Sequence, residues 1–282
     1  MIRPTVYTLV AAALLIAAVY PFTRCTNTAP PAPGIVPDSQ FCHTIAPLPD
    51  IPGAVGVTAK FWQPGQTIRI RLDGGAATQR KYITDAFNEW GKYANLDFKF
   101  VESGVSDCRI QFVSGAGSWS YIGLDNARIS QTTPTMNIGW SGLDVCLHEI
   151  GHLLGLSHEQ QSPNSTICWN KERVYADLGG PPNNWSKATV DFNVFGTLPK
   201  STTTATAFDG KSIMEYSIPD TWTCDGKGIP GGRVLSPMDT SFIKGIYPRS
   251  QPPPPPAPGK TLTGEQLAKL NALLGEIGKI LK

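Results

Sequence analysis

Ile68, Ile70 and Leu72 alternate with Arg69 and Arg71, the period-2 pattern of a strand buried on one face. Thr78 can cap a following helix, in which Ile83, Ala86, Phe87, Trp90 and Tyr93 recur at helical spacing. Phe98 and Phe100 alternate again, and Ile110 and Phe112 mark another strand. The glycine-bounded stretch 115–123 reads as a strand, and Met136-Asn137-Ile138-Gly139 as a short one. A helix follows, with Leu143, Leu147, Ile150 and Leu154 along one stripe. Beyond Ser162 the regularity fades into Gly-, Pro-, Asn- and Thr-rich loops, and no internal repeat is visible. The pattern therefore places strands and helices first and an irregular half after them.

The two ends follow other rules. Arg3 precedes an apolar run from Val6 to Val19, long enough for a secretory signal and short for a spanning helix. Tyr20 to Arg24 lacks the small residues of a cleavage site, so residues 1–25 are read as a signal peptide or an N-terminal anchor. Residues 26–55 form a Pro-rich leader or pro-segment. Residues 250–260 are a polyproline linker, and 261–282 an amphipathic helix with Leu267, Leu270, Leu274, Ile277 and Leu281 at heptad spacing. A helix on such a stalk either self-associates, docks on a partner or a membrane surface, or folds back on its own domain. The globular part is 56–249.

Composition changes this picture in three ways. Of the 25 prolines, seven lie in residues 30–52 and six in 251–258, so the remainder of the chain has ordinary proline usage and can bury a core. The 24 basic and 22 acidic side chains leave a net charge of +2 without a basic block, which argues against a nucleic-acid partner. The six cysteines (25, 42, 108, 146, 168 and 224) suit an exported protein, and losing Cys25 with a signal leaves an odd number. Spacing does not determine connectivity; the expectation is Cys108 with Cys146 and Cys168 with Cys224, leaving Cys42.

The chemistry is concentrated in one stretch. Three of the four histidines, His148, His152 and His158, fall within eleven residues. His148 and His152 are four apart, so a helix stacks them on one face, where two imidazoles can share a zinc ion. Gly155 suits the left-handed residue that ends a helix and lets His158 return as a third ligand. Three protein ligands leave an open position for water, the arrangement of a catalytic zinc, and Glu149 beside the first ligand suits the general base. A chance match to all five positions in a chain of this composition is about two in a million, so the motif is not an accident of histidine usage.

The sequence resembles a metzincin, whose signature is HExxHxxGxxH followed by a methionine turn. Ser212-Ile213-Met214-Glu215-Tyr216 supplies that turn, and Glu159 after the third histidine, with Tyr216, resembles the astacin branch. The resemblance implies an α+β zincin fold: an N-terminal twisted sheet with an edge strand, two long helices and an irregular C-terminal subdomain. It further implies that His148, His152 and His158 bind Zn2+, that Glu149 is the base and that Tyr216 stabilises the oxyanion. Met214 would form a base beneath the metal, and Glu159 would pair with a new N-terminus. The 115–123 segment, with Ser118, Trp119, Ser120 and Tyr121, would bind an extended substrate main chain to main chain.

Three departures stand out. Glu215 replaces a histidine common before the tyrosine, Cys146 lies inside the active-site helix, and no aspartate-bearing inhibitory motif is evident in 26–55. Cys42 or Asp38 could cap the zinc in a latent precursor, or Cys42 could lie in a structural disulfide. The expected function is that of a secreted, extracellular or periplasmic zinc endopeptidase of protein or peptide substrates. The competing reading is an exported binding or assembly module on a zincin scaffold, with the C-terminal helix as its working element.

Overall fold

The computed structural model describes residues 58–249 apart from Pro182. The alternating stretch forms β1 (Thr67–Asp73), which buries Ile68 and Ile70 completely. On the other face Arg69 grips Asp107 through two nitrogens, at 2.8 and 2.7 Å, and Arg71 pairs with Asp73 at 2.7 Å. The chain then runs through α1 (Ala77–Gly91), β2 (Asp97–Phe100), β3 (Cys108–Gln111), β4 (Trp119–Ser120), the short α2 (Asp125–Arg128) and β5 (Met136–Asn137). The sheet order is β2-β1-β3-β5-β4. Its first four strands are parallel and β4 is antiparallel, which leaves β4 at the edge. Parallel neighbours need a crossover, and α1 supplies the one between β1 and β2.

α1 presents Ile83, Ala86, Phe87 and Trp90 to the core. Phe87 meets Phe98 and Phe100 of β2 with ring centroids 5.0 and 5.6 Å apart. Trp90 donates its indole N–H to Leu147 O at 2.9 Å and so ties α1 to α3 (Leu143–Leu153), the second long helix. The helix α1 starts one residue before the expected cap: Thr78 lies inside it. The start is closed instead by Gln79, whose Oε1 accepts from the backbone N–H of Ala76 at 2.9 Å.

The second half is more ordered than its loop-like composition predicts. It contains α4 (Lys171–Gly179), α5 (Lys187–Val190), a π-helical turn over Asp191–Phe195, and α6 (Pro237–Ile246). A second, smaller core gathers Val174, Leu178, Trp185, Val190, Val194, Ile218 and Trp222 around Tyr216. Cys168 and Cys224 are joined in a disulfide, one of the two expected pairs, beside an antiparallel bridge of Trp169 with Thr223.

The other expected pair is corrected. Cys108 and Cys146 are both free and buried. Cys108, on β3, is faced by the Thr135 hydroxyl at 3.6 Å, whereas Cys146, on α3, has Glu149 and Asp144 as its charged neighbours. Each acts as a small apolar side chain of the main core, and burial pushes both thiols up to about 12.

One buried cation organises the loops beneath the sheet. Arg109 is fully buried and donates to four carbonyls: Thr133 at 2.7 Å, Ser106 at 2.9 Å, Ile129 at 3.1 Å and Asn126 at 3.2 Å. Arg109→Met keeps the apolar stem and strands those acceptors, so a loss of about 3–5 kcal/mol is expected. In thermal unfolding this corresponds to a Tm roughly 10 °C lower; a fall below about 2 °C would show that water replaces the guanidinium without cost.

The signal or anchor (1–25), the leader with Cys42, Asp38 and His43, the polyproline linker and the C-terminal helix lie outside the described residues. Among the described residues, no helix is long and apolar enough to cross a membrane.

Candidate metal centre and active-site cleft

α3 carries the two stacked histidines. Its core side is Cys146, Leu147, Ile150 and Leu153, all buried. The predicted stripe fails only at its start, where Leu143 is 38% exposed; Leu154, just past the last turn, is fully buried in the main core. Gly151, on the underside of α3, leaves room for Met214; a Cβ there would collide with its sulfur. Gly155 adopts φ +94°, the left-handed conformation that ends the helix, and a Cβ there would also strike the Phe61 ring at 2.7 Å. The chain turns back at this point and delivers His158.

The result is a cluster in which one nitrogen from each of His148, His152 and His158 lies within 4.8 Å of the others. His152 Nε2 and His158 Nε2 are 3.2 Å apart. His148 Nδ1 is 2.7 Å from Ile213 O, and His152 Nδ1 is 2.8 Å from Leu156 O. A carbonyl can only accept, so each Nδ1 carries the proton and each Nε2 is left with its lone pair. His148 Nε2 is buried with no hydrogen-bond partner. Burial lowers the His148 pKa to about 4 and that of His152 to about 3, so both rings are neutral, the form that ligates. An orphaned buried nitrogen converging with two others in an all-imidazole set fits zinc.

The methionine turn lies directly beneath. Glu215 N–H donates to Ser212 O at 3.1 Å, and Met214 N–H donates to Ser212 Oγ at 3.0 Å. Met214 O accepts from the backbone N–H of Glu159 at 3.0 Å, which locks the turn to the segment that bears His158. Sequence reasoning missed the residue that holds this turn. Asp239, at the start of α6, accepts from Ser212 Oγ at 2.6 Å, from the N–H of Ile213 at 2.9 Å and from the N–H of Ser236 at 2.8 Å. The available signal was Ser236-Pro237-Met238-Asp239, a capping-box helix start with proline at its first position.

Tyr216 places its hydroxyl 3.2 Å from His158 Nδ1, with the rings 4.4 Å apart. Glu149 is 1% exposed and borders a cavity of about 110 Å³ together with His148 and Tyr216. Glu159 accepts from the N–H of Asp209 at 3.0 Å, and burial raises its pKa to about 7. Glu215, flagged as a departure, is buried; its Oε1 accepts from the N–H of Tyr216 at 2.9 Å and its Oε2 accepts nothing. Burial holds its carboxyl well above the usual range.

The edge strand is much shorter than 115–123. Only Trp119 and Ser120 pair, antiparallel, with Asn137 and Met136 of β5. Glycines at φ +77°, +69° and +52° (Gly115, Gly117 and Gly123) bend the chain on both sides of the pair, which is why the ladder stops. Ser118 and Ser120 face inward, Ser118 Oγ accepting from the N–H of Gly139 at 3.0 Å; Trp119 and Tyr121 are half-buried. The strand's end is tied to the metal helix, since Gly123 N–H donates to His152 O at 2.9 Å.

Comparison with known proteins matches residues 55–222 to the family Astacin (Peptidase family M12A). A zinc metalloproteinase of Caenorhabditis elegans, nas-37, is 29% identical over 158 residues, 55% of this chain and 18% of its own length. Protein SpAN of Strongylocentrotus purpuratus is 28% identical over 152 residues, 51% of this chain and 23% of its own. The match thus spans less than a quarter of either relative. Among solved structures, that of myroilysin is 40% identical, with a TM-score of 0.68, and the similarity covers 70% of this chain and all of that one.

Proposed function

Because the chain belongs to the astacin family and carries its zinc metallopeptidase domain, we propose that it is an exported endopeptidase that cuts protein substrates in the cleft beside His148, Glu149 and Tyr216. The observation that carries this reading is the convergence of three imidazole nitrogens beside a cavity that Glu149 and Tyr216 also border. His148, His152 and His158 hold the zinc, which when bound supplies Lewis acidity at an open coordination position. Glu149 accepts the proton of the attacking water and passes it to the leaving amine. The Tyr216 hydroxyl donates to the carbonyl oxygen as negative charge grows on it, and Met214 gives the ligand cluster an apolar floor. β4, the last strand of the sheet, pairs along its outer edge with an extended substrate backbone, which makes recognition tolerant of sequence. The intact set of Glu149, Tyr216 and three imidazoles favours this reading over a binding module.

In the precursor, residues 1–25 direct export and 26–55 form the leader, with Cys42 or Asp38 as its candidate zinc cap. Glu159 then awaits the new N-terminus, and residues 261–282 act as an accessory contact helix. The N-terminus of the exported active chain is expected beyond Cys42; one that begins before it would remove the leader's role. The function itself is tested by incubating the active chain with an unfolded protein and sequencing the new termini. Internal cuts are expected, and either no cuts or trimming from the ends alone would overturn the assignment.

A further inference from the structure

Three acidic residues line the cavity beside His148: Asp144 of α3, Glu149, and Glu215 of the methionine turn. The cation among its lining residues, Arg233, has a side chain 80% exposed and is already paired with Asp144 Oδ2 at 3.3 Å. Glu215 is 4% exposed, and its Oε2 is buried without a donor although Oε1 is used by Tyr216. Glu159 and Asp209 add negative potential at the same carboxyl. A buried acceptor left this way is costly, and a ligand that brings a donor removes the cost. Much of the remaining wall is apolar, including Trp140, Val145 and Ile213.

We propose that Glu215 is a specificity-determining residue, selecting beside the scissile bond a substrate side chain with an apolar stem and a cationic, donor-bearing tip, lysine or arginine. This rests on the endopeptidase reading above. The stem packs against Trp140, Val145 and Ile213, and the ammonium or guanidinium pairs with the Glu215 carboxyl, which ionises as the cation arrives and turns its unpaired Oε2 toward it. A norleucine side chain would fill the apolar part and leave Oε2 unpaired, whereas an acidic one would meet Asp144 and Glu149 and bring no cation to Glu215. Discrimination thus comes from pairing one ligand and repelling another.

The test uses the active, zinc-loaded chain and peptides that differ only in the residue on one side or the other of the cut: lysine, arginine, norleucine or glutamate. At one of the two positions, kcat/KM for lysine or arginine is expected to exceed that for norleucine by about tenfold or more, with glutamate poorest. Glu215→Gln is expected to collapse the lysine-to-norleucine ratio toward one, with zinc content and Tm as folding controls. Cleavage of norleucine or glutamate peptides as well as lysine peptides overturns the inference alone, as does a ratio unchanged in Glu215→Gln. Where that variant fails to fold, the wild-type ratios still decide. Failure to cut any peptide overturns the endopeptidase reading, and this inference with it.

Discussion

Replacing Glu149 with alanine is expected to lower kcat/KM on an unfolded protein by about 10³-fold or more while the chain still binds zinc. The loss follows if Glu149 is the proton acceptor proposed above, since general acid–base catalysis contributes about 10²–10⁴-fold, and 10³ corresponds to about 4 kcal/mol of barrier. Retained zinc follows from the geometry. Glu149 contributes none of the three clustered nitrogens, and His148 and His152 are oriented by Ile213 O and Leu156 O, which the substitution does not touch. Alanine is also the best helix former, so α3 keeps its shape. The measurement pairs steady-state kinetics with zinc content and Tm. Activity within tenfold of the wild type, with zinc bound, would remove Glu149 from the mechanism.

Chelating the zinc is the second large effect. Activity is expected to fall to background and to return when zinc is restored. Stability should fall too, because the ion binds the folded state and not the dispersed histidines of the unfolded chain. At a free zinc concentration about 1,000 times its dissociation constant, that linkage is worth about 4 kcal/mol. For a domain of this size the corresponding drop in Tm is about 8–16 °C. The structural cause is local: the ion gives a partner to the buried His148 Nε2 and ties it to the nitrogens of His152 and His158, all within 4.8 Å of one another. Activity and Tm both unchanged after verified metal loss would show that the cluster does not hold the working ion.

Much of the site is legible along the chain because its logic is local. The four-residue spacing of His148 and His152 and the stop at Gly155 are properties of a single helix and its end, and the structure keeps them without adjustment. β1 is equally plain, since Ile68 and Ile70 go inside and Arg69 and Arg71 outside as their alternation demands. The edge strand shows the limit of that logic. Its glycines mark bends within the segment as well as its bounds, so nine expected residues yield a two-residue ladder.

Local pattern alone, then, places the three histidines, Glu149 beside the first of them and the helix that presents them, while the pairing of the cysteines waits for the fold. The tertiary structure decided which nitrogen each histidine offers, because the carbonyl that takes the Nδ1 proton of His148 belongs to Ile213, 65 residues away. It decided that Asp239 holds the methionine turn, that Arg109 is a buried strut, that Cys108 and Cys146 are core residues, and that Glu215 lines the cavity beside His148 with one buried oxygen unpaired. The division has one physical cause. Periodicity and capping act within a turn or a strand, where neighbours in sequence are neighbours in space; a carbonyl or carboxylate supplied from a distant segment leaves no period in the sequence and gains its role only when the chain closes around it.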